Sequence, residues 1–454
     1  MNIEKNKNPL GIKPTGALLR QFAIPSIIAM LVSSLYNIVD QFFIGQSVGA
    51  LGNAATNIAF PLSISCIAVA LLFGIGGASA FNISMGQGNP DQAVEYMGNA
   101  SVLLFSSGLL LCVITEIFLD PLLRFFGSPA NVLGYAKTYT RITALGFPFL
   151  IFTTGGGHLV RADGRPKISM ICNLTGAIIN TVLDALFVFV FRWGMAGAAY
   201  ATIIGQIFSA CLVFWFLSHC QTVTIRREHL AIRKQTVGRI ASLGAAPCSN
   251  QLSMMIVQIV MNNSLKHYGA QSVYGEAIPI ACAGIITKVN QVFMAFIIGI
   301  SQGVQPIISF NYGAGKYDRV KKAYLQAAGT GFLLSLIAFA LFQLIPRQII
   351  SIFGDGSEEY FRFAINYFRI FLFFTFLNFL QPITSNFFTA IGKPKKGMFL
   401  SLTRQILFLL PLLLVLPLIF GIDGLMYSGP IADFLAGAVT ITLIFRELRQ
   451  NEYR

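Results

Sequence analysis

Asp40 and Asp184 each lie inside a long apolar run, where an ionisable side chain is rare and costly. Tyr36 precedes Asp40 by four residues and Asn180 precedes Asp184 by four, so on helices each pair shares a face. Counted from the outer ends of their runs, the carboxylates lie six and seven residues in, about 9 and 10 Å deep at the helical rise. Thr202, five residues into the next run, can face them. Two carboxylates about 4 Å apart in an effective dielectric near 20 repel by roughly 4 kcal/mol, a strain relieved by a proton or a bound cation. Carboxylate, carboxamide and hydroxyl oxygens suit a proton or a hard cation such as sodium, which Asp40, Asn180, Asp184 and Thr202 would hold. The coupling ion expected is therefore H+ or Na+, with no other cofactor or metal and no catalytic residue. One such acid is explained equally well as a hydrogen-bonded polar spot that orients helices; two at matching depth favour function.

The elements that must position these residues follow from composition. The chain has 454 residues, 55% hydrophobic, with mean hydropathy +0.69 and 11% charged; soluble proteins average about 25% charged. Apolar runs fall at 17–46, 56–83, 98–118, 136–160, 169–191, 198–217, 241–264, 278–308, 327–345, 363–391, 401–420 and 425–445. At about 20 residues per crossing these predict an all-α integral membrane protein of twelve transmembrane helices. The first run is twice the length of a signal-peptide core and reads as an uncleaved first helix. Lys and Arg outnumber Asp and Glu by 32 to 18. With the N-terminus inside, 22 of the 32 basic residues fall in inner segments, 8 outside and 2 (Lys288 and Arg404) within spans. This bias predicts cytoplasmic termini in a multi-pass cell (inner) membrane protein and explains the basic excess without a nucleic-acid partner. The seven cysteines form no CxxC pair and indicate neither a disulfide framework nor a zinc site.

The chain repeats itself. Ala162-Asp163-Gly164-Arg165-Pro166-Lys167 returns as Ala390-Ile391-Gly392-Lys393-Pro394-Lys395, offset 228. Gly86-Gln87-Gly88 with Asp91 returns as Gly313-Ala314-Gly315 with Asp318, and Gly194, Gly197 and Tyr200 return as Gly421, Gly424 and Tyr427, both offset 227. Pro25 answers Pro247 at offset 222. Two homologous six-helix lobes are expected, 1–225 and 226–454, related by an axis along the membrane normal with a substrate path between them.

The run Tyr36-Asn37-Ile38-Val39-Asp40-Gln41-Phe42-Phe43-Ile44-Gly45, the doubled glycine loop, the doubled Ala-x-Gly-x-Pro-Lys loop and Asn180-x-x-x-Asp184 together resemble the multidrug and toxic compound extrusion (MATE) family over essentially the whole chain. The resemblance implies a twelve-helix antiporter that exports cationic amphiphiles in exchange for protons or sodium. It also implies N-lobe coupling residues at Asp40, Asn180, Asp184 and Thr202, and a bend of the first helix near Pro25. The NorM-like branch carries further acids on helices 7 and 10, where this chain offers Asn262, Asn263, Asn378, Gln381 and Asn386. The chain therefore resembles the DinF-like and MepA-like members more closely, and a C-lobe site built on carboxylates is not expected.

Lys288 and Asp433 are the other deep charges, and their depths suggest a structural ion pair within the C-lobe. Gln251, Met255, Asn290 and Gln381 are candidates for the substrate cleft, where methionine supplies adaptable surface and amides orient a ligand. The reading is a secondary antiporter for cationic amphiphilic drugs or toxic compounds, working by alternating access and functional as a monomer. One charge crossing 100 mV supplies about 2.3 kcal/mol, enough for roughly a fifty-fold gradient. A flippase for a lipid-linked oligosaccharide or cell-wall precursor is the alternative within the superfamily, but such anionic cargo calls for more buried Arg and Lys than the spans provide. A membrane-embedded enzyme is disfavoured because the four histidines are scattered, and no G-x-x-x-x-G-K loop is present for ATP.

Overall fold

The computed structural model describes residues 8–128, 130–275, 277–352 and 358–449; Lys5, Lys7 and Arg454 of the charge tally lie outside them. The described chain is helical almost throughout, as hydrocarbon demands: with no water to bond, each backbone amide must be satisfied within its own segment. In the first half the crossing elements are α1 (Thr15–Val48), α2 (Ala50–Gln87), α3 (Pro90–Ile117), α4 (Ala130–Leu145 and Phe147–Ala162, bent by 54°), α5 (Pro166–Asp184 and a wide turn Ala185–Val190) and α6 (Gly194–Ser218). In the second they are α7 (Lys234–Ala270), α8 (Ala277–Gly313), α9 (Tyr317–Leu344), α10 (Glu358–Phe371 and Leu380–Ala390), α11 (Pro394–Leu402, a wide turn Thr403–Leu409 and Leu410–Phe420) and α12 (Ile422–Leu448).

Among the described residues ten helices are long and apolar enough to cross a membrane, and the bent pair of α4 makes eleven. The twelfth element, α7, has 37 residues and is about 55 Å long at the helical rise, ample for a crossing. It falls below the apolar threshold because Asn250, Gln251, Gln258, Asn262 and Asn263 interrupt it.

The repeated loops now have a physical meaning. Gly88, Gly164, Gly315 and Gly392 stand at φ 79°, 85°, 70° and 75°, the left-handed conformation that ends a helix and that a side chain resists. At three of these stops Pro90, Pro166 and Pro394 follow by two residues and open the next helix, where the missing N–H costs nothing.

The halves are not sealed units, because α1 and α7 each begin in the other half's core. Leu18, Leu19, Phe22 and Ala23 of α1 belong to the apolar cluster of α8–α12, whereas Ile240 of α7 belongs to that of α2–α6. The crossings are backbone-close: a β-carbon at Gly299 would lie 2.6 Å from Ile27 Cα, one at Gly303 2.6 Å from Ala23 Cα, and one at Gly244 2.7 Å from Leu72 Cα. Only small residues permit such approach, which is how membrane helices gain packing without a hydrophobic drive. Near the Gly88 and Gly315 turns α2 and α8 also touch, a β-carbon at Gly86 reaching 2.8 Å from Ala314 N and one at Gly313 3.0 Å from Ile83 Cα. Above that contact Gln305 Nε2 donates to Ser79 Oγ at 2.6 Å.

At Pro25, where a bend is expected, α1 remains one continuous helix, with Ser26 Oγ donating to Phe22 O at 2.9 Å. The ring removes one helical hydrogen bond, and the Gly299 and Gly303 contacts hold the weakened turn from both sides. The segment joining the halves is fastened to the first of them. Asp163 accepts from the backbone N–H groups of Gln221 and Thr222 at 3.0 Å each, and Asn99 Nδ2 donates to His229 O and Ala231 O at 3.1 Å.

Gly303→Val should force α1 and α8 apart, a type of overpacking that costs about 1–3 kcal/mol. The measurement is thermal unfolding of the detergent-purified protein, with Gly134→Val as control, since a β-carbon at Gly134 meets nothing within 4 Å. Equal melting of the two variants would contradict the assigned contact.

Candidate functional site

Tyr36 and Asp40 of α1, Asn180 and Asp184 of α5, and Thr202 of α6 come together in the first half. Asp184 is fully buried, Asn180 2% exposed and Asp40 8% exposed. Thr202 is the pivot. Its hydroxyl accepts from Asn180 Nδ2 at 3.3 Å and donates to Ala198 O at 3.0 Å, and Tyr36 lies beside both in the lining of the same cavity. Asp40 and Asp184 lie within electrostatic range of each other.

The remaining oxygens lack partners. Both carboxylate oxygens of Asp184, Oδ1 of Asp40 and Oδ1 of Asn180 are buried without a hydrogen-bond donor among the described residues. Leaving a buried polar atom unpaired costs about 1–3 kcal/mol, and more when it is charged, so four in one place call for a ligand. The set is all oxygen and doubly acidic, which matches a proton or a hard monovalent cation.

Two features that the sequence reading missed complete the site. Tyr139 of α4 lies within electrostatic range of Asp40, Asp184 and Tyr36. Immediately after Asp184 the helix widens into the π turn Ala185–Val190, a distortion frequent at functional positions, and Arg192 ends it at φ 57°, unusual for a side chain of that size. An apolar layer that includes Ile44, Val132, Ala136, Val188 and Ala198 closes the site away from the basic loops. On the opposite side a cavity of about 120 Å³ opens, lined by Ser33 and Tyr36 of α1, Thr153 of α4, Asn173 and Asn180 of α5, and Gln206 of α6 among others.

The C-half candidates are placed differently. Asp433 does not pair with Lys288; its partner is Arg404, whose Nε lies 2.5 Å from Oδ1. The wide turn Thr403–Leu409 carries Arg404 at its start, and the side chain points inward to Asp433. Lys288 is half-buried with no ion pair among the described residues. It lies on the face of α8 that carries Gly299, eleven residues or about three turns away. Gln381 is not a cleft residue: its amide donates to Leu400 O at 3.2 Å and Ser401 O at 3.4 Å, tying α10 to α11. Asn386 Nδ2 likewise donates to Ser301 O at 2.6 Å. Gln251 and Met255 lie half-buried on one face of α7, and Asn290 is half-buried with Oδ1 unpartnered.

These geometries predict opposite signs for two neighbouring substitutions. Thr202→Val deletes the pivot hydroxyl and strands the Asn180 amide, so it should destabilise by about 1–3 kcal/mol. Asp184→Asn removes a buried uncompensated charge and should raise the melting temperature in cation-free buffer at alkaline pH. Thermal unfolding of both purified variants checks the pair; a fall for Asp184→Asn would mean that its oxygens are already satisfied.

Comparison with known proteins agrees with this architecture. The MatE family model matches residues 25–186 and 248–415. The chain is 24% identical over 441 residues to the multidrug export protein MepA of Staphylococcus aureus (strain MSSA476), covering 95% of this chain and 94% of that protein. A solved ligand complex of the MATE multidrug transporter DinF-BH superposes with a TM-score of 0.89 at 31% identity, covering 98% of both chains. A transporter of the MOP superfamily from Pyrococcus furiosus, described as having a binding pocket of reverse polarity, superposes with a TM-score of 0.89 at 21% identity over 97% of both chains. With the family model matched over both halves and relatives aligned almost end to end, the chain belongs to the MatE family of multidrug export transporters.

Proposed function

We propose that the protein is a secondary antiporter that exports cationic amphiphilic compounds in exchange for protons or sodium, coupled through Asp40 and Asp184. The observation that carries this reading is the convergence of four unpartnered buried oxygens on Asp40, Asn180 and Asp184 beside an amide-lined cavity. The relatives supply the cargo class: MepA is named a multidrug export protein and DinF-BH a multidrug transporter.

In the proposed cycle, a proton or sodium ion neutralises the carboxylates and removes their mutual repulsion. The neutralised α1 is then free to repack against α5. Because the first turns of α1 belong to the other lobe's core, that repacking transmits to the interface between lobes 1–225 and 226–454, with Pro25 as the compliant turn. The lobes meet through the ends of α2 and α8 near the Gly88 and Gly315 turns, the side proposed to face the cytoplasm, so the structure corresponds to a transporter open towards the outside. The protein is proposed to act as a monomer in the cell membrane with both termini cytoplasmic. Lys288, half-buried within α8 with no ion pair among the described residues, is the single observation that favours an acidic cargo such as a lipid-linked precursor.

The test is efflux of a fluorescent organic cation from proteoliposomes, with pH and sodium gradients imposed separately. One gradient should drive efflux and Asp40→Asn should reduce it at least about ten-fold, equivalent to about 1.4 kcal/mol of lost coupling. Wild-type efflux by Asp40→Asn, or efflux indifferent to both gradients, overturns the reading.

A further inference from the structure

The repeat gives C-lobe positions N-lobe counterparts, and the two lobes differ at the place where the N-lobe is hollow. Helices α4 and α10, and α5 and α11, correspond at offset 228, fixed by Ala162–Lys167 against Ala390–Lys395; α6 and α12 correspond at 227, fixed by Gly194, Gly197 and Tyr200 against Gly421, Gly424 and Tyr427. Asn378 therefore answers Leu150, Arg404 answers Gly176, and Asp433 answers Gln206. All three N-lobe counterparts line the cavity of about 120 Å³ next to Asn180. In the C-lobe the same place contains a carboxylate, a guanidinium and an amide. Arg404 Nε lies 2.5 Å from Asp433 Oδ1, with the side chains 19% and 1% exposed. Asn378, with its amide nitrogen turned towards Asp433, donates to Oδ1 and Oδ2 at 3.3 and 3.2 Å.

Arg404 is the charged group that interacts with Asp433 from the surrounding helices among the described residues, so this carboxylate owes its compensation to one side chain. The guanidinium is anchored by the wide turn Thr403–Leu409, as Asp184 in the N-lobe stands at the start of the wide turn Ala185–Val190. The two turns are not equivalent in the repeat, since Thr403–Leu409 answers 175–181, but each lobe has one π turn that adjoins or carries a charged group of its buried acidic site. In one the counter-charge is left to a ligand, and in the other it is covalently attached.

We infer that the C-lobe contains a latent monovalent-cation site, built on Asp433 and Asn378 and permanently filled by the tethered guanidinium of Arg404, which confines ion coupling to the N-lobe. The inference rests on the antiporter reading only for the identity of the coupling site, and cation binding can be measured without transport. Removing the charge of Arg404 leaves Asp433 in the condition of Asp184, a buried carboxylate that needs a proton or sodium ion.

The experiment counts cations bound by the purified full chain, as radioactive sodium retained and as protons taken up from weakly buffered solution. Asp40→Asn/Asp184→Asn should bind almost none. Adding Arg404→Gln to that background should restore about one cation per chain, Asp433→Asn on top should remove it again, and Arg404→Lys in place of Arg404→Gln should restore nothing because the cation is still supplied. A folded Arg404→Gln triple variant that binds no cation overturns the inference, as does an equal gain in Arg404→Lys. If Arg404→Gln does not yield folded protein, Asp433→Asn must rescue its folding by removing the stranded charge, and failure to rescue also overturns it. Wild-type cation uptake by Asp40→Asn/Asp184→Asn overturns the antiporter reading instead, whatever Arg404→Gln does.

Discussion

The structure depends on backbone-close contact between helices of opposite halves. Where Gly299 and Gly303 meet Ile27 and Ala23, and where Gly244 meets Leu72, no side chain separates the two helices. In lipid this is the available source of cohesion, since apolar side chains gain nothing by leaving hydrocarbon for one another. The consequence is a shared α1 and a shared α7, each rooted in one core and ending in the other. Pro25 and Pro247 lie at these crossings, where a missing hydrogen bond weakens the helix and the neighbouring backbone keeps it in line.

Upon that frame the charges are divided unequally. Deep in the second half, Arg404 and Asp433 satisfy each other. Deep in the first half, Asp184 has neither oxygen satisfied and Oδ1 of Asp40 is stranded with it. The ends of the lobes show the opposite condition, with Glu447 gripped by Lys393 and Lys396 and Asp163 by Arg165 and the joining segment. Acidic charge is compensated at the lobe ends and at Asp433, and left open at Asp40 and Asp184 inside the N-lobe.

Much of this was legible in the sequence because it depends on spacing alone. The i,i+4 pairs Tyr36/Asp40 and Asn180/Asp184 fix a shared face, and depth follows from the distance to a helix end, so the site assembled where the residues predicted. Partner choice was not legible. Whether Asp433 meets Lys288 or Arg404 depends on helix rotation, and the π turn at Thr403–Leu409 resets that rotation without any mark in composition. Tyr139 was hidden for a different reason: in a chain with 14 tyrosines and 41 phenylalanines, one more aromatic carries no signal until a backbone places its hydroxyl beside two acids. Gln381 was misread because an amide on a membrane helix serves a backbone carbonyl as readily as a ligand.

The fastening of the joining segment also has a bearing on how the two lobes can diverge. Gln221, Thr222, His229, Ala231 and Arg233 are bonded to Asp163 and Asn99 of the first lobe, so the connection behaves as an extension of that lobe and transmits little tension to the second. Register between the lobes is then set by helix crossings and not by the covalent link. Insertions in the link should accumulate freely over evolutionary time, whereas a change at Ala23 or Ile27 has to be matched by one at Gly299 or Gly303, 272 to 280 positions away in the chain.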